Sequence, residues 1–163
     1  MPDMLVKLYE LDPLASFITR QTEQGIIIRR ALVPEKHIVL AWVREHFSEY
    51  WVSEVDVTFS RSPVSTFLAT ENGKLIGFAA YDSTRLGFFG PTGVSEVTRG
   101  RGTGGALLMA CLHDMYAKGY GYAVIGGVGP AEFYTKICGA TLIPDSSPGI
   151  YRGMLRLDKV ESE

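Results

Sequence analysis

Cysteine is nearly absent. The 163 residues hold only Cys111 and Cys138, a spacing that makes neither a metal-ligating pattern nor a disulfide framework. Both read as reduced, buried, small apolar residues. Histidine is almost as scarce. His37, His46 and His113 stand apart from one another, and Cys111-x-His113 is no zinc signature, so no metal is expected. Long apolar runs are missing as well. No stretch approaches the ~20 residues that cross a bilayer. Met1-Pro2-Asp3-Met4 lacks the basic start and apolar core of a signal peptide. A cytoplasmic protein with no membrane partner is the expectation. An excess of one charge is also lacking: 16 Lys and Arg against 18 Asp and Glu leave a net charge of -2. Without a basic stripe to neutralise phosphates, no nucleic-acid partner is expected. The Gly-x-Ser-x-Gly elbow of serine hydrolases is absent too, because Gly93-Val94-Ser95-Glu96-Val97 fails at its last position.

What is present suits one soluble domain over residues 1–163. Hydrophobic residues make up 46% and charged residues 21%, ordinary values for a globular chain. A domain of this length removes roughly 70% of its unfolded surface from water. Alternation and β-branched runs predict strands over Met4–Leu11, Gly25–Ala31, Val64–Thr70, Lys74–Tyr81, Leu86–Val94, Tyr122–Ile125, Thr141–Ile143 and Ile150–Leu157. Asn72-Gly73 between two of them is a hairpin signal, since both residues tolerate positive φ. Asp12-Pro13 opens a helix whose face carries Leu14, Phe17, Ile18 and Gln21. Pro34 opens a second, with Val39, Val43 and Phe47 four apart. The aromatic stretch Tyr50–Phe59 reads as a short third. Leu107, Leu108, Cys111, Leu112 and Met115 form the apolar face of a strong fourth that Gly119 ends, and Pro130–Ile137 is a short fifth. The sum is a mixed α/β domain with hairpin-connected strands and one strand–loop–helix–strand unit in its second half.

The strongest local signal is Arg99-Gly100-Arg101-Gly102-Thr103-Gly104-Gly105, between a strand and that fourth helix. A helix start carries unpaired N–H groups and partial positive charge, so it attracts phosphate. Glycines let backbone approach a ligand closely, and Arg99 and Arg101 add donors. Three phosphate compounds compete. A Walker loop needs Lys-Ser/Thr after its last glycine, and Gly105-Ala106 does not supply it. Gly100, Gly102 and Gly105 spell the dinucleotide pattern G-x-G-x-x-G. That pattern wants an acidic ribose partner ~20 residues on, where Ile125-Gly126-Gly127 holds no carboxylate. Coenzyme A is the third compound.

Here the sequence resembles the GNAT superfamily of N-acetyltransferases. Their R/Q-x-x-G-x-G/A motif is matched by Arg99 through Gly104, and the apolar residue five positions before the Arg, at the end of the family's fourth strand, by Val94. Their aromatic-Tyr pair on a short helix is matched by Phe133-Tyr134, ahead of Gly139-Ala140. The resemblance is best over about Leu75–Ile143. Two departures stand out: the Asn often found seven residues before the Tyr is Gly127, and the Phe often found after the late Gly is Ala140.

The resemblance implies an α/β (α+β) fold, with a mixed, mostly antiparallel central sheet splayed at the fourth strand and flanked by helices. It implies acetyl-CoA as cosubstrate, a small-molecule primary amine as acceptor, and direct attack of that amine on the thioester. Gly93 and Val94 would pair with the pantetheine arm, and a free N–H at Val94 would meet the thioester oxygen. Arg99, Gly100, Arg101, Gly102, Thr103, Gly104 and Gly105 would hold the pyrophosphate, and Tyr134 would protonate the leaving thiolate. Family members often take the amine's proton with a Glu on the fourth strand, but Leu86–Val94 contains no carboxylate. Asp82 and Glu132 are the alternatives, and Glu96 reads as a loop-orienting residue. Tyr50, Trp51, Phe59, Tyr81, Phe88 and Phe89 line either an acceptor pocket or the core. A homodimer, a non-catalytic acyl-CoA sensor and a dinucleotide-binding domain remain open.

Overall fold

The computed structural model describes residues 1–157. Among them the strands are β1 (Met4–Lys7), β2 (Ile26–Arg30), β3 (Thr66–Glu71), β4 (Lys74–Tyr81), β5 (Phe88–Val94), β6 (Tyr122–Ile125) and β7 (Thr141–Leu142). The α-helices are α1 (Leu14–Thr22), α2 (Lys36–His46), α3 (Glu49–Thr58), α4 (Thr103–Lys118) and α5 (Ala131–Cys138). One sheet holds the strands in the order β2-β3-β4-β5-β6-β1-β7. Every neighbouring pair is antiparallel except β5 and β6. Asn72 (φ 52) and Gly73 (φ 74) make the expected tight β3–β4 hairpin.

Two apolar layers cover the sheet, and the central strand β4 serves both. Phe78 and Leu68 pack with Val39, Val43, Val52 and Val55 of α2 and α3. Ala79 and Tyr81 pack with α4. A register shift opposite Ala69/Thr70 inserts one extra residue, Ile76, into β4. A bulge of this kind switches the face that follows, so Ile76 joins the α4 layer while Leu75 packs in the other. Helix α4 is buried at every position from Gly105 to Leu112, as a helix apolar all round must be. Ser48 starts α3 by accepting the N–H of Trp51 at 3.4 Å, which is why the ambiguous aromatic stretch is helical.

Charged groups are used as internal ties. Arg30 of β2 makes a two-pronged contact with Asp114 of α4 (2.9 and 2.6 Å) and donates to the Val64 carbonyl at 2.7 Å. Asp82 is wholly buried. It accepts from Lys118 Nζ (3.1 Å), the Tyr120 hydroxyl (2.9 Å) and the Gly87 N–H (2.8 Å), fixing the turn that leads into β5.

The far end of the sheet departs from the expectation. Ile150–Leu157 forms no strand: Gly149–Tyr151 is a 3-10 turn and the described chain beyond it is irregular. The place beside β7 is taken by β1, which pairs with β6 on one side and with β7 on the other. Gly149 (φ 57) and Gly153 (φ 73) bend the segment out of extension, and Leu155 and Leu157 are 89% and 88% exposed. Strand β1 is also shorter than expected, ending at Lys7 before a 3-10 turn at Leu8–Glu10. No helix among the described residues is long and apolar enough to cross a membrane.

Asp82→Ala would take the common partner from the Lys118 ammonium, the Tyr120 phenol and the Gly87 amide together. A loss of about 3 kcal/mol in unfolding free energy is expected, read by chemical denaturation.

Candidate active site

Sheet and helix together make a wedge. Strands β5 and β6 pair at only two positions, Phe88↔Val124 and Phe89↔Ile125, and then part. On its other side β5 stays on β4 up to Gly77↔Val94. The Ser95 N–H donates to the Ile76 carbonyl at 2.9 Å. Antiparallel pairs alternate between bonded and unbonded. Phe78↔Gly93 is therefore a bonded pair, and Val94 turns its N–H and C=O away from β4, into the wedge. Gly93 differs from the expectation in this respect, because its backbone groups serve the β4 ladder rather than the gap. Its lack of a side chain has another cause: a Cβ there would lie 2.2 Å from Cζ of Phe47.

At the inner end of the wedge the glycine loop opens α4. Gly100 (φ 82) and Gly102 (φ 79) are left-handed, a conformation only glycine adopts without strain. Gly102 stands at the N-cap and supplies no side-chain cap. Thr103, Gly104 and Gly105, whose first-turn N–H groups have no intrahelical partner, border a pocket of ≈ 280 Å³ together with Val94, Arg99 and Phe133. At Gly104 a Cβ would meet nothing nearer than 3.9 Å, so the protein's own packing does not require glycine there.

The loop is held from behind. Gln21 of α1, 1% exposed, donates to the Arg101 carbonyl (3.0 Å) and accepts from the Thr103 hydroxyl (2.7 Å). Gln24 donates to the same carbonyl at 3.0 Å. Arg101 departs from its expected phosphate role: its guanidinium grips Glu71 of β3 with two bonds, 3.0 and 2.6 Å, and holds that carboxylate below its usual range. Thr103 likewise spends its hydroxyl on Gln21 and keeps only its backbone N–H for a ligand. Arg99 is exposed at the pocket rim, with Nε 3.4 Å from the Val94 carbonyl.

Tyr134 comes from the opposite wall. Helix α5 places it against Phe89 and Phe133, both edge-on. It is 7% exposed, and burial pushes its phenol up to about 12. Among the described residues its hydroxyl has no hydrogen-bond partner, and the residue borders a cleft of ≈ 940 Å³ shared with Gly93, Val94, Arg99 and Gly104. The loop, the wedge and Tyr134 thus face one space.

The outer end of that cleft joins Tyr50 and Trp51, which the sequence put forward as pocket candidates, to Phe47, Glu54 and Tyr151, which it did not. The rings of Phe47 and Trp51 lie 4.6 Å apart between centroids, tilted by 31°. Glu54 of α3 reaches the cleft and accepts from the Thr84 hydroxyl, and burial raises its carboxyl above the usual range. Tyr151, from the segment that fails to form a strand, lies over Gly126 and Gly127. Tyr50, Trp51 and Phe89 border the cleft, whereas Phe59 and Tyr81 belong to the core. Asp82 is sealed in its own cluster, and Glu132 is exposed on α5 away from the cleft. Trp51 and Glu54, three apart on a helix, share a face; that spacing was the available signal, but Glu49 and Asp56 nearby look the same in sequence. No group of three or more His, Cys, Asp or Glu among the described residues could hold a metal. Gly93→Ala would drive a methyl into the Phe47 ring. A loss of about 2 kcal/mol is expected, read by thermal unfolding, together with a change in Trp51 fluorescence.

The fold recurs in solved structures. A glucosamine N-acetyltransferase region, related to GCN5, in a fungal multi-domain β-N-acetylglucosaminidase matches with a TM-score of 0.72 and 16% identity, over 87% of this chain and 19% of that one. A GCN5-related N-acetyltransferase from Sphaerobacter thermophilus matches with a TM-score of 0.63 and 20% identity, over 87% and 48%. A GNAT family acetyltransferase from Brucella melitensis, solved with acetyl-CoA, matches with a TM-score of 0.51 and 20% identity, over 72% and 86%. The chain thus spans about a fifth of the fungal protein and about half of the Sphaerobacter one. No curated protein matches it by sequence. The model of the acetyltransferase (GNAT) family matches residues 28–140, from within β2 to just past α5. Since that match takes in well over half of the chain and spans the strands and helix that frame the cleft, the chain belongs to the GNAT acetyltransferase family.

Proposed function

We propose that this protein transfers the acetyl group of acetyl-CoA to a primary amine by direct attack, with Tyr134 as general acid. One observation carries the reading: the α4 start with its unpaired first-turn N–H groups, the edge of Val94 turned away from β4, and a buried phenol without a partner among the described residues all border the same cleft. The residues suit the cosubstrate. The first-turn N–H groups and the positive end of α4 complement a diphosphate, with Arg99, which has no ion-pair partner among the described residues, beside them. Open space at Gly104 leaves room for phosphate oxygens at the backbone. When bound, the cosubstrate supplies an acyl carbon activated by a thiolate leaving group.

The chain's own residues then divide the work. Val94, through the N–H and C=O that face the wedge, would hold an amide-bearing arm as a neighbouring strand would. Such fixed placement of the reacting groups is worth roughly 7–11 kcal/mol of barrier. The Val94 N–H would serve as the donor to negative charge growing on the thioester oxygen. Tyr134 keeps its proton throughout the neutral range because burial disfavours the phenolate, so it is loaded to donate as the carbon–sulfur bond breaks.

Gly104→Asp should abolish coenzyme A binding, read by calorimetry, at unchanged melting temperature; normal affinity would remove the cradle. Tyr134→Phe should lower kcat by about 100-fold while acetyl-CoA affinity stays within about twofold, measured by thiol release; an unchanged rate would leave Tyr134 a packing residue. Tight coenzyme binding by the wild type with no turnover on any amine would favour an acyl-CoA sensor instead.

A further inference from the structure

The outer end of the cleft is chemically unlike its inner end. Loop amides and Arg99 line the inner end; aromatic rings enclose the outer one, with Phe47, Tyr50, Trp51 and Tyr151 around a single carboxylate, Glu54. Thr84 occupies one oxygen of that carboxylate. Among the described residues the other oxygen accepts no hydrogen bond, and no basic side chain pairs with Glu54. The cations bordering the same cleft are placed otherwise: the Met1 ammonium donates to the Ser147 hydroxyl at 3.0 Å, Arg99 stands at the loop, and Arg156 is exposed. A half-buried carboxylate with a spare oxygen, walled by aromatic faces, is complementary to a cation carried on an apolar body.

We propose that Glu54 receives the ammonium of the acceptor and takes its proton, and that the surrounding rings select a compact primary amine with an aromatic or apolar body. This rests on the acetyltransferase reading for its chemistry, but the recognition can be tested without turnover. The protons balance. One passes from the ammonium to Glu54 and on to solvent, freeing the nitrogen lone pair. That pair forms the carbon–nitrogen bond as the carbon–sulfur bond breaks. The second proton, released as the amide forms, replaces the one Tyr134 donates to the leaving thiolate. Burial supports the basic role, since a carboxyl raised above its usual range holds a proton more readily. The placement also accounts for the absence of a carboxylate on β5: the base comes from α3, across the cleft.

The test titrates the full chain, with coenzyme A present, against 2-phenylethylamine, its uncharged counterpart 2-phenylethanol, and ethanolamine, following heat and Trp51 fluorescence. Wild type should bind the aromatic amine at least about tenfold more tightly than either competitor, a difference of about 1.4 kcal/mol. Glu54→Gln should lose the preference for amine over alcohol while binding coenzyme A as wild type does. With acetyl-CoA, the same variant should lose about 100-fold in kcat/KM for the amine at unchanged KM for acetyl-CoA. Equal binding of amine and alcohol by wild type, or a preference surviving in Glu54→Gln, would overturn the assignment. Equal binding of ethanolamine would overturn the aromatic selection. Failure to bind coenzyme A would instead sink the acetyltransferase reading, and the amine–alcohol comparison in wild type and variant would still judge Glu54.

Discussion

The cleft depends on two parallel strands that stop pairing too soon. A backbone N–H or C=O withdrawn from its ladder must find water, a side chain or a ligand, or cost free energy comparable to a lost hydrogen bond. β5 parts from β6 after Phe89 and Ile125, and the free edge it leaves at Val94 lies within one chain turn of the uncapped start of α4. The protein thereby keeps two sets of unmatched backbone donors facing one space. Such an arrangement lasts only if the rest of the structure resists closing it.

The two apolar layers supply that resistance. On one face α4 is buried along most of its length, so its first turn cannot tilt without disturbing the main core. On the other, α2 and α3 seat Phe47 against the bare backbone of Gly93, holding β5 from the side that its ladder does not. Gln21 then fixes the loop itself, reaching the Arg101 carbonyl and the Thr103 hydroxyl from α1. A buried amide with both ends satisfied is well suited to this, since losing either bond would leave a desolvated polar group.

Charge is distributed in the same way. Arg30, Arg101 and Lys118 are each spent on an internal carboxylate. Among the described residues Arg99, beside the loop, and Glu54, among the aromatic rings, border the cleft without an ion-pair partner, as do the Met1 ammonium and Arg156. Under the proposed function one end takes anions and the other a cation, and burial keeps the Tyr134 phenol protonated.

Much of this was legible in residue order. Asn72-Gly73 and the all-apolar helix after Gly105 are local signals, read from dihedral preference and hydrophobic pattern within a few residues, and they determined the hairpin and the central helix; Val94, Arg99 and Tyr134 were singled out by their resemblance to a family motif, and the fold brings all three to one cleft. The rest required the tertiary structure. Ile150–Leu157 has a strand-like composition, but pairing is decided by which strand occupies a sheet position, and β1 occupies the one beside β7. Arg101 and Arg99 look equivalent two residues apart, yet only one comes within reach of Glu71, 30 residues away in sequence. Glu54 resembles any helical surface acid until the packing of α3 brings it into a cleft walled by aromatic rings. Local chain chemistry could therefore specify a glycine-opened, uncapped helix start, whereas the partner of each charge depended on contacts between segments distant in sequence, which no window of the sequence contains.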